Sequence, residues 1–224
     1  MKVLISGGAS GLGAATVSAL LEQGDEVMVI DRAIPKDDVP HVEVDLTDST
    51  AAENAVKQLA DRAGGLDAVF TPAGIDFPGT LDTVPAKEWE KVLQVNLLGT
   101  AAVIRAALPY LKQSHGKVVT VASTLGIKAV SDATAYCAAK WGVVGFTRAL
   151  AAETAGQIGV TMLIPGGMDT PFFDGRDEQY KPPADAKLNR PEHVAQAVLF
   201  ALRQPPGCEV REMVVCHSEE GSWP

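Results

Sequence analysis

Three cysteines in 224 residues, Cys137, Cys208 and Cys216, are too few and too scattered to staple a fold. An odd count without a C-x-x-C pair argues against a disulfide framework and against a zinc site, and reduced thiols are the expectation. The four histidines, His41, His115, His193 and His217, lack the helical spacing of metal ligands, and no metal is expected. Aromatic residues make up only 5% of the chain, which gives no hint of a base-stacking surface. Positive charge is also in short supply. Nineteen Lys and Arg stand against 28 Asp and Glu, and the net charge of -9 repels phosphate backbones and anionic membranes alike. Neither nucleic acid nor membrane is expected as a partner. No uninterrupted apolar run reaches the roughly 18 residues of a membrane span, and no basic, apolar and cleavable leader opens the chain. A soluble, unexported, cytoplasmic protein is the expectation.

What is present is a globular composition, 46% hydrophobic and 21% charged. The length suits a single domain over residues 1–224, large enough to bury about 70% or more of its extended-chain surface. Seven short apolar runs predict strands: Lys2–Ser6, Glu26–Asp31, His41–Asp45, Ala68–Thr71, Lys117–Ala122, Val160–Ile164 and Glu212–Cys216. Most are nearly continuous in Val, Ile, Leu and Met, as parallel strands covered on both faces must be. Between them, helical patterns run over Gly13–Gln23, Thr50–Arg62, Lys87–Lys112, Ala133–Ala155 and Glu192–Arg203. Strict β/α alternation predicts an open, doubly wound parallel α/β sheet. The long irregular segment at about 166–190 is expected to be a substrate lid, because it follows a strand's carboxyl end, where such sheets bind ligands. Its Met168, Phe172, Phe173 and Tyr180 suggest an apolar lining, whereas Asp174, Arg176, Asp177 and Lys181 suit a polar group.

The first strand leads into Ser6-Gly7-Gly8-Ala9-Ser10-Gly11-Leu12-Gly13 and then a helix. Glycines there let a ligand approach the backbone, and a helix N-terminus offers unpaired N–H groups and partial positive charge to a pyrophosphate. About twenty residues on, Asp31 ends the second strand, where a carboxylate accepts both ribose hydroxyls of an adenosine and repels a 2′-phosphate. NAD(H) is therefore the preferred cofactor. Arg32 next to it is suited to pairing with that phosphate and keeps NADP(H) in view.

Tyr136 and Lys140 open another helix pattern at a separation that places them on one face. Only about one free tyrosine in a thousand is ionised at neutral pH, and a cation within about 4 to 6 Å is expected to lower the phenol towards useful acid–base chemistry. Ser123 follows a strongly β-like run and precedes Tyr136 by thirteen positions. Its hydroxyl suits polarising a carbonyl, and Thr124 is the nearby alternative. Asn96 stands inside a helix pattern, an unfavourable place for an amide, so it serves either a local purpose or a solvated face.

The G-x-x-x-G-x-G loop with Ser…Tyr-x-x-x-Lys at this spacing resembles the short-chain dehydrogenase/reductase family over nearly the whole chain. The resemblance implies a Rossmann-type, seven-stranded parallel sheet of order 3-2-1-4-5-6-7. It implies a loop of Gly7, Ser10, Gly11, Leu12 and Gly13 against the cofactor, with Leu12 near the nicotinamide and Asp45-Leu46 touching adenine. Ser123, Tyr136 and Lys140 become the catalytic set, Tyr136 and Lys140 also meeting the cofactor. Asn96 would distort its helix so that a carbonyl holds a water in a relay from Lys140. Pro165, Gly166 and Thr170 match the run after strand six that holds the carboxamide. Ala73 and Gly74 keep half of the family's N-N-A-G, but Thr71 and Pro72 replace both amides, which implies altered support of the central sheet or weaker cofactor affinity. A homodimer or homotetramer is implied, in agreement with the apolar, many-sided helices Lys87–Lys112 and Ala133–Ala155. Trp141, Val144 and Phe146 suit either core or interface, and Trp223 suits docking at an interface or pocket rim.

Three functions follow. The first is an NAD(H)-dependent oxidoreductase acting on a secondary alcohol or its ketone, 3-hydroxyacyl and 3-oxoacyl compounds included. The second is an NADPH-dependent 3-oxoacyl-carrier-protein reductase. The third is a nucleotide-sensing or scaffold protein without catalysis, which has no need of an intact proton-transfer set.

Overall fold

The structure, a computed structural model, describes residues 1–221, so the expected docking of Trp223 falls outside the described residues. Its centre is a seven-stranded sheet, every pairing parallel: β1 (Lys2–Ser6), β2 (Glu26–Asp31), β3 (His41–Glu43), β4 (Ala68–Thr71), β5 (Lys117–Val121), β6 (Gly159–Pro165) and β7 (Glu212–Val215). The order is β3-β2-β1-β4-β5-β6-β7, as expected from the resemblance. The reversal of winding falls between β1 and β4, and a crevice opens there at the strands' carboxyl ends.

Why the strand sequences are apolar on both sides is visible in the packing. Leu4, Met28, Ile30, Val69, Val118 and Val160 point into one core, with α2 (Ser49–Ala63) and α4 (Thr100–Ser114). Their neighbours Val3, Ile5, Val27, Val29, Phe70 and Val119 point into the opposite core, with α1 (Gly11–Leu21) and α6 (Pro191–Leu202). Each inner strand thus fills two cores at a period of two, whereas the edge strands β3 and β7 keep His41, Glu43 and Glu212 exposed. The longest helix, α5 (Thr134–Glu153), covers β5 and β6 from the first side through Val143 and Val144.

Element boundaries differ from the sequence expectation where side chains compete for the backbone. β3 stops at Glu43 rather than Asp45, because Asp45 Oδ1 captures the Thr47 N–H at 2.9 Å and turns the chain. Helix α1 starts at Gly11, two residues early, with Ser10 extended as its N-cap. The expected helix Lys87–Lys112 is three pieces: α3 (Ala86–Leu93), a π-helical turn over Gln94–Gly99, and α4. By length and composition Ala86–Ser114 could cross a bilayer. Here it lies on the sheet, with Ala102, Val103, Ile104, Ala107 and Leu111 wholly buried, the behaviour of a core helix.

A very close approach joins the β1–α1 loop to itself. A Cβ at Gly13 would lie 1.9 Å from the Gly7 carbonyl oxygen, a contact that no rotamer relieves. Gly13→Ala is therefore expected to cost about 1–3 kcal/mol through backbone displacement, a fall of roughly 2–12 °C in thermal midpoint for a chain of this size. A thermal melt unchanged from wild type would contradict the packing described.

Candidate active site

Where β1 and β4 diverge, a cavity of about 680 Å³ runs from Asp31 at one end to Tyr136 and the β6–α6 segment at the other. Its floor is the glycine loop. Gly7 has φ of 73°, and a Cβ there would lie 2.7 Å from Ala73 Cα, so only glycine lets the loop touch the chain leaving β4. Gly11, at φ 51°, faces Thr170 across the cavity, with a Cβ position 3.5 Å from that side chain. Ser10 makes no side-chain cap to α1, and the first-turn N–H groups have no intrahelical acceptor, which leaves them to an anion. Leu12 and Gly13 line the same floor.

The Asp31 carboxylate is held by two backbone donors, Ala9 N–H to Oδ2 at 2.9 Å and Ala33 N–H to Oδ1 at 3.0 Å. Each oxygen keeps a lone pair for a ligand hydroxyl. Arg32 is exposed beside it. Asp45 and Leu46 form the adjoining wall; the Thr47 backbone N–H, helped by Arg32 and Lys91 against the opposing effect of burial, holds the Asp45 carboxyl below its ordinary range. Leu46 is buried against Gly99 of the π-helical turn. These surfaces fit a dinucleotide: a cradle that side chains would fill, open N–H groups for its pyrophosphate and a carboxylate at the ribose end.

At the other end, Lys140 projects from the buried face of α5, and its Nζ donates to the Val121 carbonyl at 2.8 Å. The ammonium lies 5.5 Å from the Tyr136 ring centroid. Burial pushes Lys140 down to about 8. Ser123, at the end of β5, accepts the Leu125 N–H at 3.1 Å and hydrogen-bonds the Tyr136 phenol, favouring its ionised form. Thr124, the alternative considered from sequence, also lines the cavity and begins the short 3-10 turn after Ser123. The phenol itself departs from expectation. Burial, followed by the nearby Asp76 carboxylate, raises Tyr136 well above the ordinary tyrosine range, and Ser123 and Arg176 only partly offset this. Sequence spacing anticipates the neighbouring cation but not the burial, which is the largest effect on the phenol.

Asn96 is buried and faces no solvent. Its Oδ1 accepts the Ile75 N–H at 2.8 Å and its Nδ2 donates to the Ile75 carbonyl at 2.9 Å, so the amide clamps the chain just beyond Gly74. The helix is distorted there, as expected, and the Asn96 carbonyl accepts the Thr100 hydroxyl at 2.9 Å. A Cβ at Gly74 would lie 3.4 Å from Asn96 Oδ1 and 3.8 Å from Lys140 Nζ, so these three positions converge. Upstream, Thr71 completes β4 with a buried hydroxyl that has no hydrogen-bond partner among the described residues, and Pro72 has no N–H to offer.

The segment after β6, which ends at the buried Pro165, folds back on itself. Asp169 N–H donates to the Asn189 carbonyl and Asn189 N–H to the Gly167 carbonyl, both at 2.9 Å, so the two ends are tied together. Met168, Thr170, Phe172, Phe173, Asp174 and Arg176 face the cavity, while Lys181 pairs with Glu178 at the surface. Two charged cavity residues had not been singled out from sequence. Asp76 follows the Ala73-Gly74-Ile75 run, and proximity to that run was the only available signal. Glu220 comes from the far end of the chain to accept the Gly167 N–H at 2.8 Å against Gly166, and no motif marks it.

This architecture has a match in sequence. The family model for short chain dehydrogenases matches residues 1–181. An uncharacterized oxidoreductase of Staphylococcus aureus is 31% identical over 224 residues, 95% of each chain. A 3-oxoacyl-[acyl-carrier-protein] reductase of Thermotoga maritima is 31% identical over 217 residues, 88% of each. An alcohol dehydrogenase of the archaeon Thermococcus sibiricus, solved with 5-hydroxy-NADP, superposes with a TM-score of 0.87 over 98% of this chain and 97% of its own, at 23% identity. The chain belongs to the short-chain dehydrogenase family and is an oxidoreductase of that family.

The buried lysine makes stability depend on pH in a defined direction. Unfolded, Lys140 keeps its proton up to about 10.5; folded, only up to about 8. Between those values the unfolded chain binds more protons, so this group's contribution rises with pH and is fully present above 10.5. Relative to Lys140→Met, the ligand-free wild type should gain up to about 3 kcal/mol between pH 8 and 10.5. Urea unfolding of both proteins across that window measures this, and parallel pH profiles would refute it.

Proposed function

We propose that this protein is an NAD(H)-dependent oxidoreductase that interconverts a secondary alcohol and a ketone, 3-hydroxyacyl and 3-oxoacyl compounds included. The reading rests above all on one observation: Ser123, Tyr136, Lys140 and the Asn96 clamp meet at one end of a cavity whose other end is the Asp31 carboxylate. The nicotinamide supplies or accepts the hydride. Gly7, Ser10, Gly11, Leu12 and Gly13 hold the pyrophosphate, Asp31 takes the ribose hydroxyls, and Asp45 and Leu46 border the adenine, with Arg32 outside. Ala73, Gly74, Pro165, Gly166 and Thr170 seat the nicotinamide half.

Ser123 holds the substrate oxygen while the Tyr136 hydroxyl exchanges a proton with it. Burial keeps that phenol protonated at rest, which makes it a ready donor to a ketone oxygen. Lys140, anchored on the Val121 carbonyl, orients the cofactor ribose beside the phenol, and Asn96 keeps the Gly74–Ile75 backbone in place beneath both. The segment 166–190 closes over substrate as a lid of one continuous domain, 1–224. Exposed Leu98 and Trp141 on the outer helices are the natural contact of a homodimer or homotetramer working in the cytoplasm.

The second reading, an NADPH-dependent 3-oxoacyl-carrier-protein reductase, is favoured by the Thermotoga maritima relative. Against it stands Asp31, where a 2′-phosphate would meet a carboxylate at a cost of roughly 1–4 kcal/mol at about 4 Å. A purely nucleotide-sensing role leaves the converging proton-transfer set without a purpose.

Tyr136→Phe is expected to bind NADH, read by its fluorescence, yet lose turnover by roughly 10²–10⁴-fold; near-normal rates would sink the acid–base role. Asp31→Ala should lower the ratio of kcat/KM for NADH over NADPH by about tenfold or more. An unchanged ratio would count against NAD(H).

A further inference from the structure

Asp76 and Arg176 face each other on the substrate side of the cavity, from segments a hundred residues apart. Arg176 Nη2 lies 3.1 Å from Asp76 Oδ2, and the two side chains are only 12% and 7% exposed. Phe172 and Phe173 hold the guanidinium, its centre 4.7 Å and 4.8 Å from their ring centroids, and Phe172 lies 5.7 Å from the Tyr136 ring. The cation is thus fixed close to the proton donor by two aromatic rings and a carboxylate.

The pair is close but misaligned. Among the described residues, Arg176 Nε and Nη2 and Asp76 Oδ1 are buried and make no well-aligned hydrogen bond, although the Phe77 backbone N–H also favours the Asp76 carboxylate. Buried polar atoms of charged groups are rarely left so, and where three converge on a ligand cavity the missing partner belongs to the ligand. Their chemistry is specific: two donors and one acceptor, on a pair with no net charge. A hydroxyl group matches it, giving its proton to Asp76 Oδ1 and its lone pairs to Arg176. A second carboxylate would share one guanidinium with Asp76 and leave a buried net negative charge beside Tyr136. An ammonium would confront Arg176. An apolar substrate would displace solvent and leave all three atoms desolvated.

Resting on the alcohol–ketone reading above, we propose that Asp76 and Arg176 form a subsite for a neutral hydroxyl, so that the enzyme's substrates are diols, polyols or hydroxyketones whose second hydroxyl sits near the reacting carbon. Neither residue touches the reacting atoms; together they set specificity.

The test compares kcat/KM with NAD⁺ for cyclohexanol, cis- and trans-cyclohexane vicinal diols, and 2-hydroxycyclohexanecarboxylate, which share one ring. At least one diol should exceed both cyclohexanol and the hydroxy acid by roughly ten- to a hundredfold, the worth of hydrogen bonds to charged groups. In the double variant Asp76→Leu/Arg176→Met, which removes both charges, that ratio should fall to within about threefold, as expected for loss of those bonds. Thermal unfolding and NADH binding check that the variant is folded, and the wild-type ranking decides the matter even if it is not. Cyclohexanol or the hydroxy acid equalling the diols in wild type would overturn the subsite and leave the alcohol–ketone reading intact. No turnover of any compound, with diol binding to the NADH complex still lost in the variant, would overturn that reading and keep the subsite. Absence of turnover and of diol binding together would overturn both.

Discussion

The hydrogen bond from the Lys140 ammonium to the Val121 carbonyl ties the chemistry to the fold. Val121 is the last residue of β5, and Lys140 lies on the inward face of α5, so one buried bond fixes how far the helix sits along the sheet. Tyr136 is one helical turn earlier on the same helix and Ser123 is two residues beyond the same strand end. Their mutual placement therefore follows from that anchor rather than from any flexible linker. Charge is retained in the interior at a cost, visible in the lowered Lys140 value of about 8. An uncharged side chain of similar length would fill the space more cheaply, and the retention of an amine there is best explained by its use.

The second support comes from across the sheet. Gly7 against Ala73, and Asn96 against the Ile75 backbone, bring the loops after β1 and β4 to a common depth. The family's paired asparagines are absent, yet the segment is still held, because the Asn96 amide satisfies both polar groups of Ile75. The residual defect is local: among the described residues, Thr71 carries a buried hydroxyl with no partner a few positions before this clamp.

Much of this was legible in the residues alone, for identifiable reasons. Parallel strands buried on both faces must be apolar throughout, so Val27–Ile30 and Val118–Val121 announced themselves without alternation. The glycine loop and Tyr136–Lys140 are local patterns, readable at short range. Boundaries failed where a side chain intercepted the backbone, as Asp45 does beyond β3. The π-helical turn left only one trace, an asparagine where a helix former is preferred. The Tyr136 phenol was misjudged because spacing reveals a neighbouring cation but not burial, and here burial is the larger effect. Asp76 and Glu220 were missed since their significance depends wholly on tertiary closure over long stretches of chain.

These cavity electrostatics bear directly on direction and selectivity. Asp76 raises the Tyr136 phenol and Arg176 lowers it, so a ligand that changes the balance between them also changes the proton donor. A neutral hydroxyl bridging the pair leaves their net charge unaltered, and the phenol stays matched to donation. An anion bound at Arg176 would add to the effect of Asp76 and hold the phenolic proton more tightly, opposing the proton transfer proposed for Tyr136. On the function and subsite proposed above, substrate choice and proton transfer are coupled through one misaligned ion pair, and the arrangement that offers three polar atoms to a ligand also sets which ligands leave the acid–base chemistry undisturbed.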